Sequence, residues 1–94
     1  MLADGLRVTF DAVKSDSRCP LDALCVQAGE AVVGLTLTQS SGGEAAREVR
    51  TTPSLSEVSY LSYIVKLVAL APFPRSTQQI RPEDYVATLT VDRR

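Results

Sequence analysis

The sequence has 94 residues, a formal net charge of −1 at pH 7 and a hydrophobic fraction of 45%, which together indicate one globular domain with a modest core. Basic and acidic residues are interleaved without a basic stripe, which argues against nucleic acid and against a polybasic membrane surface as partners. The chain has no histidine, the commonest general base and metal ligand, so we predict a protein that is not an enzyme and that uses no cofactor.

Five stretches have the composition of β-strands, near residues 5–13, 30–38, 45–52, 60–71 and 85–92. In the first, Leu6, Val8 and Phe10 alternate with polar residues, which is the period of a sheet with one buried face. The last alternates in the same way, and Tyr85 at its start is expected to hydrogen-bond back to the preceding loop, as a tyrosine corner does in sandwiches.

The middle of the chain predicts a hairpin and a central strand. Residues 30–52 form the hairpin, with a Ser/Gly tip near residue 42 and a charged second strand suited to a sheet edge. Residues 53–59 predict a turn or a short helical piece, because Ser54 and Glu57 fit a capping box. The run 60–71 is the most apolar, and we expect it to be central with both faces covered.

Strands separated by turn signals, without a long helix, predict an all-β domain over residues 1–94. A small antiparallel β-sandwich or open barrel is the expected architecture. An exposed edge strand of such a sheet is suited to pairing with another copy, so a homodimer through an edge strand is one expected association.

Both cysteines, Cys19 and Cys25, lie in the stretch 16–29, which also has the densest turn chemistry. Three interpretations are open: a small disulfide loop, a redox pair or a metal site. Redox pairs usually have C-x-x-C spacing, and zinc would need two further soft ligands, so a stapled connection is favoured. Pro20 and the spacing of the apolar residues after it predict one short turn of helix there.

Calcium binding at the same stretch is the alternative function. Asp16, Asp22 and backbone carbonyls could supply oxygen ligands. Both aspartates also suit ordinary turn and capping roles, so we predict no metal site and keep calcium as the second hypothesis.

Residues 16–29 also resemble a known group of proteins. Asp-Ser-Arg-Cys-Pro at 16–20, then Cys25, Val26, Ala28 and Gly29 leading into a strand, is similar to a pattern in small bacterial exported proteins of uncharacterised function, many of them lipoproteins. The pattern Tyr-x-Val-x-Leu at 63–67 and the Pro-Phe-Pro at 72–74 fit the same group. The resemblance implies export, a Cys19–Cys25 bridge and a β-rich fold, and it implies no activity.

This chain departs from that group in two ways. Gln27 stands where the group often has tryptophan, and the chain carries no lipoprotein signal. The sequence also contains no apolar run long enough to span a bilayer. An even cysteine count at short spacing nevertheless favours an extracytoplasmic location, in the periplasm or at the cell surface, with the signal segment not present in this chain.

The function that follows is a non-catalytic exported β module that binds a protein or a cell-envelope component. Its expected binding surface combines exposed apolar and polar side chains of the cysteine stretch with one aromatic residue after the central strand. These candidates are Arg18, Leu21, Asp22, Leu24, Gln27 and Phe73.

Overall fold

The computed structural model describes residues 2–3, 5–77 and 79–93, and in them it is an all-β fold of two antiparallel sheets. The first sheet has the order β1-β2-β3-β4 and the second the order β5-β6-β7. The strands are β1 (Leu2–Ala3), β2 (Leu6–Asp16), β3 (Ala31–Gln39), β4 (Glu44–Arg50), β5 (Glu57–Tyr60), β6 (Tyr63–Ala71) and β7 (Val86–Arg93). The predicted fold class, a small antiparallel β-sandwich or open barrel with a disulfide-stapled loop, is confirmed.

One hydrophobic core lies between the two sheets. It is built mainly from alternate residues of β2, β3 and β6, as the period-2 pattern of an amphipathic sheet requires. The first sheet contributes Leu6, Val8, Ala31, Val33, Leu35, Leu37 and Val49, and the second contributes Tyr63, Val65, Leu67 and Leu70. The inner residues of β7 pack against this core but are only partly buried.

The strand predicted over residues 60–71 is in fact the end of one strand and the whole of another. A two-residue turn at 61 and 62 separates β5 from β6, with Tyr60 paired to Tyr63 and Leu61 at φ 56°. The short helical piece expected after residue 52 is a 3-10 turn at Pro53–Leu55. Sequence reasoning missed β5 because its four residues carry only two inward side chains, too few for a clear alternation.

A β-bulge on β6 also changes which side chains face inward. Leu67 pairs with Leu89 and Ala69 pairs with Thr88, so Val68 is the extra residue. The bulge reverses the phase of the strand, and Leu70 is buried where simple alternation predicts Ala69. Lys66 and Val68 are exposed, so the prediction that both faces of this strand are covered is wrong.

β6 is nevertheless central and β4 is an edge, as predicted. Two further bulges lie on β2, at Asp11 and Lys14, where the pairing to β3 skips a residue. No helix among the described residues is long and apolar enough to cross a membrane.

Candidate functional site

Residues 17–30 connect β2 to β3, and we call them the cysteine loop. Its two ends, residues 17–19 and 28–30, are called its legs, and they continue the hydrogen bonding of β2 with β3. The Ser17 N–H donates to the Glu30 carbonyl at 2.8 Å, and the Cys19 N–H donates to the Ala28 carbonyl at 2.9 Å. Gly29 has φ 68°, and a Cβ on it would overlap the Ser17 carbonyl oxygen. The close approach of the legs therefore requires glycine at this position.

Glu30 fastens the second leg to the edge strand of the first sheet. Its carboxylate accepts hydrogen bonds from the Thr52 hydroxyl and from Arg50 Nη1, both at 2.5 Å. The hydrogen bond from Thr52, followed by that from Arg50, holds the pKa of the Glu30 carboxyl below its ordinary value. These contacts hold the second leg of the loop in place where it joins β3.

The Cys19–Cys25 disulfide closes the tip of the loop, with the two Cα atoms 6.0 Å apart. Inside the ring the Ala23 N–H donates to the Pro20 carbonyl at 3.2 Å. This is an isolated turn, so the predicted turn of helix is absent.

Asp16 and Arg18 form a nearly buried ion pair at the base of the loop, with side chains 12% and 8% exposed. Asp16 Oδ1 accepts from the Arg18 backbone N–H at 3.2 Å and from its Nε at 2.9 Å. Asp16 Oδ2 accepts from Arg18 Nη2 at 2.8 Å and from the Tyr85 hydroxyl at 2.9 Å. Tyr85 therefore bonds to a carboxylate of the first sheet, not to its own loop as a tyrosine corner would.

These contacts shift two pKa values in opposite directions. Burial alone would raise the pKa of the Asp16 carboxyl, but the hydrogen bonds from Arg18 and Tyr85 outweigh burial and hold that pKa below its ordinary value. Burial and the adjacent Asp16 carboxylate raise the pKa of the Tyr85 hydroxyl. The pair is thus charged, and the phenol neutral, at neutral pH.

Arg18 also joins the loop to the second sheet. Its Nη1 donates to the Leu70 carbonyl at 2.8 Å and its Nη2 to the Pro72 carbonyl at 2.9 Å. The guanidinium carbon lies 5.5 Å from the centroid of the Phe73 ring. Arg18 was predicted as a binding residue, and the structure places it as the support that holds residues 70–73 against the loop.

A second set of contacts joins the loop tip to the segment after β6. The Leu21 N–H donates to the Pro74 carbonyl at 2.9 Å. The Asp22 carboxylate accepts from the Ser76 N–H at 2.9 Å and from its hydroxyl at 2.6 Å. These bonds from Ser76 hold the pKa of the Asp22 carboxyl below its ordinary value. Asp22, a predicted surface residue, is exposed and tethers the loop tip to residue 76.

The apolar side chains of the loop point away from the domain. Leu24 and Val26, on either side of Cys25, are fully exposed, and Leu21 and Phe73 are more than half exposed. Gln27 is exposed as well. Val26 is absent from the predicted surface, although an apolar β-branched residue in so short and turn-rich a loop is a signal that could have revealed it.

Both aspartates named as calcium ligands in the alternative hypothesis accept hydrogen bonds within the protein. The Asp16 carboxylate is engaged by Arg18 and Tyr85, and the Asp22 carboxylate by Ser76. Within residues 2–3, 5–77 and 79–93, no three side chains of the His, Cys, Asp or Glu type come together to hold a metal ion.

Comparison of the chain with family models, with curated proteins and with solved structures finds no match. The resemblance to bacterial exported proteins therefore stays a prediction.

Acid should weaken the loop attachments. Asp16, Asp22 and Glu30 all have a lowered pKa in the folded protein. Their contribution to the free energy of unfolding is therefore present above the ordinary carboxyl range near about pH 4 and is lost as the pH falls through the pKa values of the folded protein.

We expect urea denaturation of Asp16→Asn to show its largest deficit in unfolding free energy, relative to the wild type, near neutral pH. The deficit should shrink as both proteins are acidified. A deficit that stays constant down to low pH would show that the Asp16 charge is not responsible.

Proposed function

We propose that this chain is a non-catalytic, exported β module that binds a protein or a cell-envelope component through the cysteine loop. The location outside the cytoplasm, and a lipoprotein-like bacterial origin, rest on the sequence resemblance at residues 16–29. The Cys19–Cys25 bridge supports that location, because disulfides persist mainly in oxidising compartments.

The observation that carries the proposal is the full exposure of Leu24 and Val26 on a rigid loop. An exposed leucine or valine alone is common on protein surfaces. Here two of them flank one half of a disulfide, on a loop that is tethered at its base by Arg18 and at its tip by Asp22. A tethered loop loses little conformational entropy when it binds, which raises affinity for a given contact area.

The chemistry of the surroundings favours a protein as the partner. Phe73 and Val68 line a cleft of about 220 Å³ beside the loop, together with the buried Arg18. A cleft with the exposed apolar side chains of Phe73 and Val68, on the same domain as the exposed Leu24 and Val26, matches the composition of protein interfaces, in which apolar side chains form the centre.

Leu24→Ser/Val26→Ser is expected to lower partner retention by about tenfold or more, because each buried aliphatic side chain is worth about 1.5–3 kcal/mol. The folded protein should keep its melting temperature, since both side chains are exposed. The measurement is quantitative proteomics of envelope extracts retained by immobilised wild-type and variant chains, followed by binding of the purified partner.

The matched control is Leu55→Ser/Leu61→Ser, which removes two half-exposed leucines outside the loop. It should retain the same partners as the wild type. Equal retention by all three chains would contradict the proposal. A melting temperature that rises with calcium and falls with chelator would instead favour the ion-binding alternative.

A further inference from the structure

Among the strands that the structure describes, only β7 has a long outer edge that is regular and uncharged over most of its length. β7 lies at the side of the second sheet, and no described strand pairs with its outer edge. Its inward row, Ala87, Leu89 and Val91, packs against the core but is only partly buried. The edge therefore offers backbone hydrogen-bonding groups beside an incompletely covered apolar row.

The other edges carry features that discourage pairing. β1 covers the start of β2, and the bulges at Asp11 and Lys14 interrupt the remainder. β4 has charged residues at four of its seven positions, and β5 is only four residues long. Bulges, charges and shortness are the usual protections of an edge strand, and β7 has none of them between residues 86 and 91.

The sequence of β7 also allows it to pair with itself. In an antiparallel pair, two residues that lie opposite each other point to the same face of the sheet. Side chains alternate between the two faces along β7, so two opposed residues from identical strands must both have odd numbers or both have even numbers. With Leu89 opposite Leu89 of a second copy, Ala87 is opposed to Val91 and Thr88 to Thr90. Val86 then meets Asp92, and no like charges are opposed.

The registers near the middle of β4 oppose like charges. The register centred on Arg47 opposes two arginines, and the register centred on Glu48 opposes two glutamates. Like charges directly opposed across strands are destabilising. The charge pattern thus disfavours pairing about the middle of β4, whereas it permits pairing about the middle of β7.

We propose that the chain forms a twofold homodimer in which the β7 strands of two copies pair antiparallel about Leu89. The pairing joins two three-stranded sheets into one continuous sheet. It places the inward rows of both copies side by side, so that Leu89 and its neighbours become covered. The cysteine loops are not part of this interface.

Sedimentation equilibrium of the whole chain tests the proposal over a concentration series up to about 1 mM, a range that detects weak association. We expect a monomer–dimer equilibrium for the wild type. Thr88→Lys/Thr90→Lys opposes lysine to lysine twice across the pair and should weaken association about tenfold or more. Thr88→Lys/Thr90→Glu opposes lysine to glutamate twice in the same register and should restore it.

Two controls isolate the edge. Ser59→Lys/Ser62→Lys adds the same two charges at exposed positions of the β5–β6 hairpin and should dimerise as the wild type does. Leu24→Ser/Val26→Ser should also dimerise normally, which separates this interface from the cysteine loop. Both threonines are exposed, and circular dichroism will show that the variants are folded.

A chain that stays monomeric at every concentration would overturn the proposal. Equal association of wild type and Thr88→Lys/Thr90→Lys would do the same. Failure of Thr88→Lys/Thr90→Glu to recover association would exclude the register centred on Leu89, and loss of association in Leu24→Ser/Val26→Ser would place the interface at the loop instead.

Discussion

Arg18→Ala is expected to lower the unfolding free energy by about 3–5 kcal/mol, the range measured when one partner of a buried ion pair is removed. The Arg18 side chain is 8% exposed and donates four hydrogen bonds, to Asp16, Leu70 and Pro72. Its removal leaves the Asp16 carboxylate largely buried, with Tyr85 as its remaining side-chain donor. Chemical denaturation at neutral pH measures the loss directly.

Three further variants define the origin of that loss. Arg18→Lys keeps the charge but cannot reproduce the planar fork of donors, so its cost should be intermediate. Asp16→Ala/Arg18→Ala leaves no orphaned carboxylate and should lose less than the sum of the two single changes. Arg81→Ala removes an arginine that is 70% exposed and should cost less than about 1 kcal/mol. A loss below about 1 kcal/mol for Arg18→Ala would contradict the role assigned to this pair.

The role of Arg18 also shows the limit of what the sequence can reveal about a site. Sequence analysis placed Arg18 and Asp22 on the binding surface as exposed polar side chains of the cysteine stretch. Their partners, Leu70, Pro72 and Ser76, are more than 50 residues away along the chain. Local patterns carry no information about such contacts, so a tether and a presented side chain look the same in sequence.

The fold was more predictable than the site for a related reason. Apolar and polar residues alternate along Leu6–Asp16 and Ala31–Gln39 because one face of each strand is buried. This pattern indicates a strand whichever other strand it pairs with. Simple alternation gives the wrong inward-facing side chains after residue 67, because the bulge at Val68 exchanges the inward and outward positions of the strand. A bulge depends on the register of two strands and leaves no periodic trace in either sequence alone.

The disulfide lies between these two cases. Its cysteines were evident, and the resemblance at residues 16–29 implied their pairing. Sequence analysis expected Leu24 to be exposed but did not single out Val26, and both side chains point outward. That orientation depends on the contacts of Leu21 and Asp22 with residues 74–76.

Gly29→Ala is expected to lower the free energy of unfolding by about 2–4 kcal/mol, because it combines backbone strain with a steric overlap. Gly29 has φ 68°, and an added Cβ would overlap the Ser17 carbonyl group. Relief requires the two legs to separate, which breaks the hydrogen bonds between Ser17 and Glu30. Thermal unfolding should show a melting temperature lower by about 10 °C or more for a domain of this size.

Gly42→Ala separates the two components of that effect. Gly42 also has a positive φ, 107°, but a Cβ there meets nothing within 4 Å. The Gly42→Ala change should lower the free energy of unfolding by about 1 kcal/mol, from backbone strain alone. Because φ 107° lies outside the left-handed helical region and is at least as strained for alanine as φ 68°, any extra loss of unfolding free energy in Gly29→Ala is a lower limit on the cost of the overlap at Ser17. Equal losses would show that the two legs of the loop separate without penalty. Because partner binding is proposed to depend on a rigid loop, Gly29→Ala should also lose the partners retained by the wild type, while Gly42→Ala should keep them.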